Sequence, residues 1–405
     1  MATSRMRHVS LVPIGMLVAI VPSALQGCTF AGLGNYDVET CARPTGVSTT
    51  VQKVGAVNDL TFASASGKNV IGAFAADVTG GSCIEAVGAT GFLNPNCSFL
   101  TDETSLVPRQ PMVVPMSGGY AAALVATTAP CTAGALIYRF NAPNIAGKGN
   151  TKCEATGAAL PSVAALPDGA TAVVAWYATS FDSRRDPISS CAGAKAASLE
   201  VAVVTGAATG SPVLGAAITL SPSSTSLRPP AIILLGAQAI VAAPDANDVG
   251  VWAIDAGVAG PAALQTIPGL AGARAVALAA ASDGSARIAV VAEIGCSPQS
   301  IALAVGTLAT GFAGATVVAP AGASVAVAPS VAWIEGQNRW VVAWISTAGG
   351  AHVLTRSFEP TGVPLGAVVD PQLRATAASV TSTGDVFGFV ASSNSFVDTS
   401  LGCTP

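Results

Sequence analysis

The chain has 405 residues, of which 10% are charged and 51% hydrophobic, and a formal net charge of −4. So small and negative a charge excludes a basic nucleic-acid-binding surface. A charged fraction well below the usual quarter also means that much of the exterior is neutral and polar.

Residues 1–27 have the layout of a signal peptide. Arg5, Arg7 and His8 occur without an acidic residue and precede an apolar run, Val9 to Leu25, that is interrupted by Pro13 and Pro22. The run falls short of the roughly 20 uninterrupted apolar residues that a spanning helix needs. It ends in Leu25-Gln26-Gly27-Cys28, which resembles the bacterial lipobox. The resemblance implies that Cys28 is acylated and becomes the first residue of a lipoprotein, with 28–47 as anchor and tether. Thr29, instead of Asp, after that cysteine implies the outer membrane, on its periplasmic side or at the cell surface. The alternative is an ordinary secretory signal cleaved elsewhere. Removing 1–27 leaves sixteen basic against twenty-two acidic residues, a net charge of −6, and one histidine, His352.

From residue 48 on, the chain repeats. Ile71-Gly72-Ala73-Phe74, Ala122-Ala123-Leu124-Val125, Val173-Val174-Ala175-Trp176, Ile240-Val241-Ala242-Ala243, Val290-Val291-Ala292-Glu293, Val341-Val342-Ala343-Trp344 and Val386-Phe387-Gly388-Phe389 start 51, 51, 67, 50, 51 and 45 residues apart. Each follows another short β-rich run that ends in a turn, such as Pro167-Asp168-Gly169 or Glu335-Gly336-Gln337, the pattern of a hairpin. Two further strands are legible late in the chain, Ala351 to Phe358 and Val363 to Val369. Four strands per unit of about 50 residues predict an all-β protein, a β-propeller of seven blades with six or eight as the neighbouring counts. One domain, 48–405, is expected.

The last unit stops at Cys403, too early for four strands. Ser48 to Val54 is a lone β-like segment that can supply the missing outer strand and leave no open edge. Pro329-Ser330-Val331-Ala332, Trp340 to Trp344, Arg356-Ser357-Phe358 and Thr361 to Gly366 resemble a repeat of large secreted and surface bacterial proteins. Those relatives are propeller-like β-repeat proteins, mostly of undefined function, so the resemblance implies a fold and no activity.

Eight cysteines remain besides Cys28, an even number that reads as four disulfides in an exported chain. Cys83 with Cys97 and Cys131 with Cys153 are near neighbours that staple their own units. Cys41 and Cys403 fall at the closing seam. Cys191 and Cys296 both follow a second strand, which leaves them as the pair that ties an insertion across one face.

That insertion, about Ser180 to Ala197, accounts for the 67-residue interval and carries Asp182, Arg184, Arg185 and Asp186. A charged loop on so neutral a protein is the candidate contact for a protein or glycan partner, the arginines being suited to carboxylate or phosphate; an internally paired surface loop is the alternative. No zinc-ligand spacing occurs, and neither a metal nor a cofactor is expected. Asp245 to Gly250 has oxygen ligands at alternate positions but lacks a third carboxylate and a closing Glu, and reads as a turn. His352 lies in an alternating strand and has no nucleophile pattern around it. Trp176 and Trp344 share a repeat position and read as structural before they read as a sugar platform. Paired acids for carbohydrate chemistry would have to come from Glu85, Glu154, Asp168, Glu200, Glu293 and Glu335. The expectation is therefore a lipid-anchored envelope module that binds or scaffolds, with a carbohydrate-active hydrolase or lyase as the alternative.

Overall fold

The computed structural model describes residues 44–53, 57–64, 70–76, 82–88, 91–92, 98–99, 108–116, 119–126, 136–141 and 152–153. From 157 to 401 it describes all but 169, 179–196, 207–212, 227, 246–247, 256–260, 297–298, 321–328 and 391–394. Before residue 157, side-chain packing is described for Met112 and Val114 alone.

The described residues form seven separate antiparallel sheets of four or five strands. Every repeat motif falls on the second strand of its sheet: Val70–Ala76, Gly119–Ala126, Ala172–Ala178, Gln238–Pro244, Ile288–Ile294, Arg339–Ser346 and Asp385–Val390. Each pairs with the hairpin strand before it and with a third strand after it, as Ile288–Ile294 does with Ala273–Ala280 and Ser300–Thr307. The strand predicted near Ser48 begins four residues earlier, as Pro44–Lys53, and pairs with Ser395–Leu401 at the outer edge of the seventh sheet.

In sheets three to six the second strands read as continuous apolar runs because both of their faces are covered. In Arg339–Ser346, Trp340, Val342 and Trp344 pack with Val291, Val305 and Phe358 toward the fifth sheet. The alternate residues Val341, Ala343 and Ile345 pack with Val380 and Val386 of the seventh. A period of two thus sends alternate side chains into two different cores, so neither face needs a polar residue. Where large rings lie in these layers, small residues make room. A Cβ on Gly250 would stand 2.4 Å from the Trp252 indole.

The first strands of consecutive sheets touch one another in chain order, and Val57–Ser64 touches Ala377–Val380 of the last. Polar links join neighbouring sheets: Ser330 Oγ accepts from the Val380 N–H at 3.0 Å, and the Glu335 N–H donates to the Ser382 carbonyl at 3.1 Å.

The register defines two ends for each sheet. Ala273, where the chain enters its fifth sheet, pairs with Ile294, where the second strand leaves. Entries from the preceding sheet therefore share a connection end with the links between second and third strands. The turns between first and second strands lie at the opposite, hairpin end.

Candidate functional site

The strands flanking the insertion, Ala172–Ala178 and Ala197–Thr205, are the second and third of their sheet. Their facing ends put it at the connection end, as the repeat alignment predicts. Asp182, Arg184, Arg185, Asp186 and Cys191 themselves lie outside the described residues. So do Cys28, Cys41, Cys97, Cys131 and Cys403. Cys83 and Cys153 lie on strands whose side chains are not described. Cys296, just past Ile294, stands in a disulfide.

The acids that would serve carbohydrate chemistry are scattered over different elements. Asp168 sits in a hairpin turn at the hairpin end, where its carboxylate accepts the Ala170 and Thr171 N–H groups and the Thr171 hydroxyl. Those bonds, chiefly the one from Ala170, hold its carboxyl below the usual range. It caps a turn. Glu335 is exposed at the same end of the sixth sheet. Glu200, on a third strand, accepts from Thr219 Oγ at 3.0 Å. Side chains at Glu85 are not described, and Glu154 lies outside the described residues. The first strands, which touch one another from sheet to sheet, contain one acid, Asp59 of Val57–Ser64.

The remaining sequence candidates resolve into structure. Trp176 and Trp344 are both buried, at 3% and 2% exposure. The Asp245 N–H donates to the Asp248 carbonyl and the Asp245 carboxylate accepts from Ser221 Oγ, closing a turn. His352 Nδ1 lies 2.6 Å from the Gly350 carbonyl and its Nε2 4.0 Å from Asp370. Among the described residues no group of three His, Cys, Asp or Glu could hold a metal.

Glu293 is the exception among the acids. It closes the second strand of the fifth sheet at the connection end, where it is 6% exposed. Its Oε1 accepts from Gln299 Nε2 at 2.6 Å, while Oε2 is buried with no hydrogen bond. Burial pushes its carboxyl above the usual value; the Arg228 charge and the Gln299 bond pull the other way without winning. Arg228, in the entry to the fourth sheet, is shifted down by its own desolvation, against the pull of Glu293.

Ser226, 1% exposed, fixes that entry. Its hydroxyl is 2.8 Å from the Arg228 carbonyl and 3.3 Å from the Arg274 carbonyl, and it accepts the Arg228 N–H. Arg274 lies in a bulge of the first strand beside the Ala275 to Glu293 pairing, and its Nε is buried without a partner. Sequence reasoning named Glu293 among six dispersed acids and missed Arg228 and Arg274. The available signal was the repeat itself, which puts Glu293 in the slot that Trp176 and Trp344 fill.

A raised carboxyl pKa has a consequence for stability. The folded state favours protonated Glu293, so this contribution is present below the ordinary value of 4.5 and is lost as pH rises through the folded pKa. Glu293→Gln is expected to be more stable than the parent at neutral pH and to lack this loss between pH 4.5 and 7.5. Urea unfolding at both pH values checks it; a parent that gains stability over that window relative to the variant would contradict the assignment.

No protein-family model matches the sequence, and no curated protein matches it. Among solved structures the chain is similar to Kuenenia stuttgartiensis hydrazine synthase, with a TM-score of 0.55 and 11% identity over 87% of this chain and 98% of that one. It is similar to the Dos1 propeller, with a TM-score of 0.52 and 9% identity over 87% of this chain and 83% of the other. Chaetomium thermophilum Raptor matches 91% of this chain with a TM-score of 0.52 and 10% identity, and this chain spans only 30% of Raptor. At these identities the likeness concerns fold alone, and the fold is a propeller-like array of antiparallel β-sheets.

Proposed function

We propose that the chain is a lipid-anchored, seven-bladed β-propeller that serves as a binding module of the bacterial cell envelope, with its ligand-facing surface at the connection end. The observation that carries the binding role is the makeup of the first strands: across the seven sheets they carry one acid, Asp59, so they do not supply the two carboxylates of a paired-acid enzyme. The described acids occupy separate turns, strands and ends, which favours binding over hydrolysis or lyase chemistry.

Seven sheets, one per repeat, support the blade count, and the pairing of Pro44–Lys53 with Ser395–Leu401 supports closure by strand exchange. The single domain then begins at Pro44. The disulfides that accompany this architecture are Cys41–Cys403, Cys83–Cys97, Cys131–Cys153 and Cys191–Cys296, the last tying the insertion to the fifth blade.

Anchoring through Cys28 rests on the lipobox resemblance and on the contribution of roughly 0.8 kcal/mol per buried methylene of each acyl chain. Cys28→Ser is expected to move the protein from the outer-membrane fraction to the soluble fraction; continued membrane retention in that variant would rule the anchor out.

The insertion is the surface for a protein or glycan partner. Cross-linking in intact envelopes should capture a discrete partner with the parent chain and lose it with Arg184→Ala/Arg185→Ala. Identical capture by both would remove the insertion from the binding surface.

A further inference from the structure

We propose that His352 and Asp370 form a binding site for a divalent transition metal ion of the zinc and copper class at the connection end of the sixth sheet. The site goes beyond the binding role assigned above and does not depend on the insertion.

His352 opens the third strand of that sheet, and Asp370 follows the end of its outer strand, Pro364–Val369. Both therefore stand at the connection end. Their backbones are tied together, because the Val353 N–H donates to the Leu373 carbonyl at 2.9 Å. The turn before His352 is also fixed. Arg374 Nη1 donates to the Gly349 carbonyl at 3.3 Å, and Gly349 and Gly350 have φ of 74° and 104°, a region that residues with a Cβ rarely enter.

One contact decides the chemistry of the imidazole. His352 Nδ1 lies 2.6 Å from the Gly350 carbonyl oxygen, which only accepts, so Nδ1 carries the hydrogen. Nε2 of the neutral ring is then a bare lone pair. Donation of the other ring N–H to a backbone carbonyl is the support that metal-bound histidines commonly have. Asp370 is oriented in the same way. Its Oδ1 accepts the Gln372 N–H at 2.7 Å, where Gln372 has a φ of 62°, and its Oδ2 is left facing His352 Nε2 at 4.0 Å.

That gap decides between a proton and a metal ion as the bridge. It is too long for a hydrogen bond, which needs about 2.7 to 3.2 Å. A metal ion at about 2.0 to 2.2 Å from each atom nearly spans it, and the 39% exposed Asp370 side chain is free to swing in and bend the N–metal–O angle. The His352 side chain is 12% exposed, so the pair is open on one side, where water or a donor from a ligand completes the coordination. An imidazole with a carboxylate suits zinc or copper, whereas calcium and magnesium seek oxygen alone. The two ligands lie on opposite sides of an outer strand, so no spacing motif announces them.

The test titrates the purified full chain, stripped of metal and free of a polyhistidine tag, with Zn²⁺ and Cu²⁺ by calorimetry at pH 7.5, and in parallel with Mg²⁺ and Ca²⁺. Saturable binding of one equivalent of zinc or copper is expected, and none of magnesium or calcium. Asp370→Asn retains an acceptor for the Gln372 N–H, and His352→Gln retains a hydrogen-bonding side chain; each should weaken the binding at least tenfold. Glu335→Gln, at the hairpin end, should leave it unchanged. Beyond residue 27 His352 is the only histidine. The electron spin echo of bound Cu²⁺ should therefore be modulated by the remote ring nitrogen in the parent and not in His352→Gln.

The proposal fails if neither zinc nor copper binds saturably, if calcium binds as tightly, if the folded variants bind like the parent, or if the copper echo shows no imidazole nitrogen. Envelope capture by the Arg184 and Arg185 variants is a separate measurement, so the binding role and the metal site can fail independently.

Discussion

A chain lacking residues 44–53 is expected to aggregate and to lose its cooperative melt. In the folded protein Pro44–Lys53 covers the outer edge of Ser395–Leu401 through five register partners between Pro44 and Lys53. With one hydrogen bond per paired position on average and about 1 kcal/mol net for each, the loss is of the order of 5 kcal/mol, comparable with the whole stability of many domains. The freed edge also becomes a template for pairing with another chain. Size-exclusion chromatography and a thermal melt measure both effects. A synthetic peptide with the sequence of 44–53 should restore the monomer by adding the strand in trans. A truncated chain that stays monomeric with an unchanged melt would show that the seventh sheet closes without this strand.

Trp340→Ala should be the most damaging single substitution of a side chain in the sixth sheet. Trp340 is 0% exposed, stands edge-on to Trp333 at 4.7 Å between ring centroids, and donates from Nε1 to the Pro360 carbonyl at 3.3 Å. It belongs to the core shared with the fifth sheet, so the cavity would open between two sheets instead of within one. Truncation of such a ring costs about 3 to 5 kcal/mol. The exposed Val213 of an outer strand is the control, expected to change stability by less than about 0.5 kcal/mol on substitution by Ala. Chemical unfolding followed by far-ultraviolet circular dichroism compares the two. Equal effects would mean that the interface between the fifth and sixth sheets contributes little.

The fold was legible because one strand per unit is buried on both faces and must stay apolar along its whole length. Val173, Val290 and Val341 announce second strands for that reason, and all seven motifs mark them. First strands show their closing turns in the sequence but not their starts, as at Val57–Ser64. Their ends are set by turns, which sequence shows, but their beginnings by connections, which vary. Outer strands were the least legible. Val213–Leu214 and Gly311–Phe312 are two residues each, too short to show a period.

The candidate site was legible only in part. Glu293 breaks the apolar repeat and can be found by that break. Arg228 lies in an irregular connection 65 residues earlier, and no spacing links a connection to a strand end in the next sheet. What ties Arg228 to the fifth sheet is the Ser226 hydroxyl, which bonds the Arg228 and Arg274 carbonyls, groups invisible to residue type.

The direction of Pro44–Lys53 has a further consequence. Pro44 pairs with Leu401 and Lys53 with Ser395, so the strand enters at the hairpin end and leaves at the connection end. With Cys28 acylated, the tether leaves the domain at the hairpin end, and its sixteen residues reach at most about 55 Å from the bilayer. The shortest tether path turns the hairpin end toward the lipid. Glu293, Arg228 and the insertion then face away from the membrane, toward whatever the envelope or the medium presents.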